Sequence, residues 1–196
     1  MNKIKLTLLL TALVLSSSPL LAQSKRAAST GGNSPHETTS AVIGDRRTGC
    51  RVTITYGRPF TKDPKSGEAR KIYGTAEEKA LVPYGKAWRM GADEATLLIT
   101  QQPLKIGETT VPAGAYTLYL VPAADGPSKL ALSTRIGQWG VPVDEAHDLA
   151  RVDLKKETLE KPVDQFTIMI GKDETGGVIK LMWENTQFSV PFTVSK

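Results

Sequence analysis

From Leu97 to Val194 the chain falls into short stretches in which apolar and polar residues alternate, each closed by glycine, proline or aspartate. A two-residue period places successive side chains on opposite faces of a strand, and punctuation this frequent leaves no room for long amphipathic helices. Residues 97–100, 104–106, 109–111, 115–121, 129–133, 150–154, 165–170, 178–184 and 187–194 are therefore predicted as strands, preceded by 51–56 and a short piece at 41–43. Ile106-Gly107-Glu108-Thr109 suits a tight hairpin, and residues 171–177 a longer one. In the last segment Phe188, Val190, Phe192 and Val194 alternate with Ser189, Pro191 and Thr193, and the missing N–H of Pro191 predicts a sheet edge. The sum is an all-β fold, an antiparallel two-sheet β-sandwich or jelly-roll-like domain, with a ligand-holding barrel as the alternative. The stretch 115–121, apolar on both faces, belongs at its centre. One short helix is expected from Thr75 to about Leu81, because Thr75-Ala76-Glu77-Glu78 has capping-box spacing and Pro83 disfavours helical geometry at Val82.

Residues 1–22 carry Lys3 and Lys5, then an uncharged run from Leu6 to Leu15, then a small residue, Ala22, at a plausible cleavage point. This is the pattern of a secretory signal peptide. Residues 23–33, rich in Ser, Ala, Gly and Lys without periodicity, read as a flexible tether, and 34–196 as one domain. No later segment approaches the roughly 20 apolar residues of a spanning helix, so a periplasmic or secreted, soluble protein is expected. The formal charge of +5 includes the two leader lysines, and the remaining cations are interleaved with acids, which argues against nucleic acid as a partner. Cys50 is the single cysteine; it alternates with Val52, Ile54 and Tyr56 and is expected to be a buried thiol, with no disulfide inside the chain.

Chemistry concentrates in Leu81–Thr96, which gathers Tyr84, Trp88, Arg89, Asp93 and Glu94 between Gly85 and Gly91. Aromatic rings offer flat contact area, and arginine offers a planar fork for carboxylate or phosphate. With Tyr56, Arg58 and Arg70 these residues make the candidate ligand-binding set: Tyr56, Arg58, Arg70, Tyr84, Trp88, Arg89 and Glu94. If two of the arginines converge, a small polar or anionic envelope ligand is the natural guest. The competing reading has Arg89 paired with Asp93 or Glu94, merely securing the loop. A second function class is a hydrolase or lyase using Glu94 or Asp93 as base and His36 as acid. A third is an envelope interaction module whose edge near Phe188–Val194 pairs with another chain. No metal site is expected, since the two histidines, His36 and His147, lack ligand spacing and His147 sits in a polar connection. No cofactor is implied: phosphate loops, dinucleotide fingerprints and a serine nucleophile elbow are all absent. Trp183 alternates with Leu181 and Ile179 and reads as core, while Trp88 and Trp139 read as plugs at the end of the sandwich or as sugar platforms.

Several of these motifs recur together. Ser34-Pro35-His36, Tyr56-Gly57-Arg58-Pro59, Leu81-Val82-Pro83-Tyr84-Gly85 with Trp88-Arg89 and Gly91-Ala92, Pro112-Ala113-Gly114 with Tyr116, and Gln138-Trp139-Gly140 resemble an exported bacterial family known as domain of unknown function 2911. The similarity runs from Ser34 to about Val194. The resemblance implies export and one β-rich domain, and supplies no activity, substrate or cofactor. This chain departs from the expected pattern at Asp93, where relatives are expected to carry asparagine, and in longer segments between Pro59 and Arg70 and around 75–80.

Overall fold

The structure, a computed structural model, describes residues 25–28, 34–172 and 176–195; the leader reading of residues 1–22 lies outside them. The described residues form twelve strands: β1 (Lys25–Ala28), β2 (His36–Ile43), β3 (Cys50–Gly57), β4 (Tyr73–Gly74), β5 (Val82–Pro83), β6 (Leu97–Thr100), β7 (Leu104–Ile106), β8 (Thr109–Val111), β9 (Gly114–Val121), β10 (Ser128–Ser133), β11 (Asp148–Lys172) and β12 (Gly177–Val194). Ten of them form one antiparallel sheet in the order β1-β2-β3-β6-β9-β10-β11-β12-β7-β8, and β4 and β5 form a small parallel pair. Lys25–Ala28, inside the segment read as a tether, lies along β2.

The two layers are parts of that single sheet, joined by β11. Its first residues pair with β10 through Leu154, and from Lys155 onward it pairs with β12. The sequence divides this 25-residue strand in two because Lys155–Asp164 is polar and mostly exposed, so alternation toward a core vanishes while the backbone ladder continues. The same holds for β12, where Glu184 interrupts the apolar face. The hairpin curls until its beginning meets its end: a Cβ on Gly176 would lie 2.2 Å from the Phe192 carbonyl oxygen. That approach requires glycine.

Burial follows the alternation. Ile54, Leu98, Leu118, Leu120 and Leu130 from the first layer meet Phe166, Ile168, Ile179, Leu181 and Trp183 from β11 and β12 in one core. Cys50 is fully buried in that core and β9 lies between β6 and β10, both as the sequence predicts. The Gly107 hairpin forms with Ile106 opposite Thr109.

Two local expectations need correction. The capping box at Thr75 forms, with Thr75 N–H donating to Glu78 Oε2 (2.8 Å) and Glu78 N–H to Thr75 Oγ1 (3.3 Å), but it closes only a turn. Lys79 adopts φ +55°, and backbone bonds from Leu81 and Val82 to Lys71 and Ile72 draw the chain into the β4–β5 pair before a helix can propagate. Among the described residues the one short helix is a 3-10 turn at Glu145–His147, capped by Asp144. Nor is the last strand an edge: β7 pairs with Phe192–Val194 beyond it. Pro191 falls between the last β11 partner, Ser189, and the first β7 partner, Phe192, where its missing N–H costs no ladder bond.

Glu184 is the strained residue of this hairpin. It sits at φ +50° beside a register shift, and burial raises its carboxyl pKa above the ordinary value, with Lys71 opposing. Left-handed backbone costs a non-glycine residue roughly 1–2 kcal/mol, less for asparagine. Glu184→Asn is therefore expected to stabilise the protein at neutral pH by about 1 kcal/mol, raising Tm by roughly 2–4 °C in a thermal melt. A carboxyl whose folded pKa is raised is penalised while ionised, so the electrostatic part of this gain should fade as the pH falls below that raised pKa.

Candidate functional site

Tyr56, Arg58 and Glu37 form a buried polar knot. Glu37 alternates with Thr39 on the inner face of β2 and is 3% exposed. Arg58 Nη1 lies 2.8 Å from its carboxylate, Arg58 Nε donates to the Phe166 carbonyl (3.0 Å), and Nη2 donates to Thr167 Oγ1 (2.7 Å). The Tyr56 hydroxyl accepts from the Ile168 N–H (2.7 Å) and donates to Glu37 Oε1 (3.1 Å). Arg58 and Tyr56 thus lock the first layer to β11, with their polar groups facing protein.

The remaining candidates divide. Arg70 donates through Nη2 to the Phe60 carbonyl and through its backbone to Thr61, securing the 60–70 loop. Tyr84 belongs to the β4–β5 side, near Tyr73. Trp88 exchanges backbone hydrogen bonds with Leu120 on β9, stacks on Trp183 at 5.6 Å and meets Phe166 at 5.0 Å, which makes it a core plug. Trp139 is 53% exposed, so the burial expected for it is corrected. Its ring lies 5.1 Å from the Arg89 guanidinium, and its carbonyl accepts from Arg89 Nη1 (3.1 Å).

A crossing of Gly57 and Gly91, where a Cβ on Gly91 would lie 2.8 Å from the Gly57 carbonyl oxygen, holds the loop that carries Arg89, Asp93 and Glu94. Ala92 N–H donates to the Gly57 carbonyl, and a Cβ on Gly57 would stand 2.1 Å from the Ala92 carbonyl oxygen. Met90 and Asp93 adopt φ +57° and +62°, and Thr96 Oγ1 donates to the Met90 carbonyl (2.7 Å). Aspartate and asparagine both tolerate this backbone region, so Asp93 keeps the loop geometry and adds a charge. Gly140 docks the 137–143 segment onto this loop, since a Cβ there would meet Ala95 and Arg89.

This packing brings His36, Asp93 and Glu94 together from distant parts of the chain. His36 Nε2 lies 2.9 Å from Glu94 Oε2 and 4.0 Å from Asp93 Oδ2. The Glu94 carboxyl is held below its ordinary pKa, first by its own backbone N–H, against which burial pulls upward, and further by His36 and Arg89. His36, Thr55, Tyr56, Glu94, Leu97 and Gln138 are among the residues lining a pocket of about 270 Å³. Lys86, Trp88, Arg89, Val141, Val143 and Glu145 help line a second cleft, of about 260 Å³.

Arg89 forms no ion pair with Asp93 or Glu94, and the Glu94 carboxylate contacts His36. Partial burial lowers the Arg89 pKa, and the charges of Asp93 and Glu94 offset this only from a distance. Lys86, exposed in the same cleft, also has no carboxylate partner among the described residues, whereas Glu145 pairs with Arg151. Sequence reasoning missed Lys86, Gln138 and the 140–143 wall. The Gln138-Trp139-Gly140 motif was the available signal. His147 pairs with Asp144 at 3.0 Å in its polar connection. Among the described residues, no group of three or more His, Cys, Asp or Glu could hold a metal ion, and no helix is long and apolar enough to cross a membrane.

No curated protein and no solved structure gives a significant match to the chain. A family model does, over residues 34–192, which include the glycine crossing, the His36–Glu94 contact and Arg89. The chain belongs to the family described as protein of unknown function (DUF2911).

Proposed function

We propose that this chain is an exported binding protein that takes the anionic group of a small polar ligand on Arg89, in the cleft shared with Lys86. Export rests on the leader pattern of residues 1–22. The observation that carries the binding reading is the state of Arg89: a half-buried guanidinium, stacked on Trp139, whose one acceptor among the described residues is a carbonyl. A partly desolvated cation that no carboxylate contacts directly is only partly compensated by the charges of Asp93 and Glu94, and a planar fork favours carboxylate, phosphate or sulfate as the group that completes it. Lys86 adds a second positive charge, and the apolar 141–143 wall gives the body of the ligand a surface.

The test is a thermal-shift panel of phosphate, sulfate, citrate and sugar phosphates in low-salt buffer. An anion at 100 times its Kd should stabilise the protein by about 2.7 kcal/mol. Arg89→Ala should keep the fold and weaken that anion roughly 10- to 100-fold, as expected for the loss of charge-assisted hydrogen bonds. Arg89→Lys should recover part of the affinity. A variant that unfolds, or that binds as tightly as the parent, removes Arg89 from the site.

A further inference from the structure

The 135–144 segment carries chemistry that a small anion on Arg89 leaves unused. Ile136, Trp139 and Val141 are each at least half exposed, an apolar surface on a segment that Gly140 docks firmly against Ala95 and Arg89. Trp139 is a fixed platform: the Arg89 guanidinium lies 5.1 Å from its ring, its carbonyl accepts from Arg89 Nη1, and half of the residue still faces solvent. Beside it lies a further cleft of about 480 Å³, whose lining includes Arg135, Trp139, Val141, Pro142 and Asp144. The 140–143 wall is common to this cleft and to the one that holds Lys86 and Arg89. Because Arg89 lines one and Trp139 the other, their contact puts both within reach of a single elongated ligand.

The polar groups of the larger cleft are of a different kind from Arg89. Arg135 pairs with Asp144, whose Oδ1 accepts from the Ala146 N–H (3.1 Å) and whose Oδ2 lies 3.0 Å from His147 Nδ1. A pair already neutralised offers donors and acceptors side by side, which suits hydroxyls better than a second formal charge. Resting on the reading of Arg89 as an anion site, we infer that the two clefts together bind an acidic oligosaccharide. The carboxylate of one uronate unit lies on Arg89 and Lys86, and the ring of the next lies on the open part of Trp139. A pyranose face is a flat C–H surface edged by hydroxyls, so it buries against indole while its edge reaches Arg135 and Asp144. A flat hydrocarbon anion would cover Trp139 and gain nothing from that pair.

Isothermal titration on the full chain uses trigalacturonate and trimannuronate, with their monomers, neutral maltotriose and triglutamate as controls. At least one acidic trisaccharide should bind about 10-fold or more tightly than its monomer, beyond the roughly threefold gain that three equivalent carboxylates give by number alone. It should also shield Trp139 from acrylamide quenching, since Trp183 is fully buried and Trp88 packs against the core. Trp139→Ala, a change at an exposed ring, should weaken the trisaccharide about 10-fold while citrate stays within about threefold, and Trp139→Phe should restore most of the loss. A trisaccharide no tighter than its monomer, equal binding of maltotriose or triglutamate, or unchanged affinity in Trp139→Ala would overturn the assignment and leave citrate on Arg89 untouched. A parent protein that binds neither citrate nor trisaccharide would end both readings.

Discussion

Arg58→Ala is expected to destabilise the protein by about 3–5 kcal/mol, the usual cost of removing one partner from a buried ion pair. Glu37 is 3% exposed, and Arg58 Nη1 is 2.8 Å from it, so truncation leaves a carboxylate in the interior with its main counter-charge gone. The Phe166 carbonyl and Thr167 Oγ1 lose donors in the same step. Urea titration should show a midpoint lower by roughly 2 M with an unchanged slope. Replacing both members of the pair, Glu37→Met with Arg58→Met, should recover much of the loss, since the penalty lies in the unpaired charge. Anion binding should persist in any folded Arg58 variant. A variant that stays within 1 kcal/mol of the parent yet no longer binds anions would instead place Arg58 in the ligand site.

Gly57→Ala should be nearly as damaging, and for a different reason. A Cβ at this position meets the Ala92 carbonyl oxygen at 2.1 Å and the Ala92 backbone throughout, so no rotamer change relieves it. The strand and the loop would have to separate, at a cost of roughly 3 kcal/mol or more. Gly57 is paired with His36, and its carbonyl accepts from Ala92, so that separation also pulls His36 and Glu94 out of register. Chemical denaturation measures the first effect. The second should appear as a change in the His36 ring resonances by NMR, as the contact with Glu94 is lost, even where the variant remains folded.

Much of the fold was legible because antiparallel strands with one buried face write their geometry into the sequence. Strands at 97–100, 104–106 and 109–111 fall where alternation and turn residues place them. The reading failed where burial and hydrogen bonding part company. Polar Lys155–Asp164 is strand because its backbone is paired, and β2 begins at His36 because Glu37 and Thr39 point inward, a burial possible only with Arg58 and Tyr56 beside them. The candidate site was half legible. Arginine and aromatic residues on loops made Arg89 one candidate among three arginines, but one sequence gives no distances, so the arginine that closes a buried pair looks the same as the one that lines a cleft. The His36–Glu94 contact, spanning 58 positions, depends on the β2–β3 register and the glycine crossing, and was anticipated only as one arrangement of an acid–base pair.

The most direct test of the account is the side-chain Nε–Hε resonance of Arg89, observed by NMR during titration with phosphate or citrate. The account predicts that this resonance shifts and saturates with the same Kd that calorimetry gives, while the Arg58 resonance stays fixed. An Arg89 signal that remains in place as anion binds elsewhere, or that follows the ionisation of Asp93 or Glu94 as a paired group would, contradicts it.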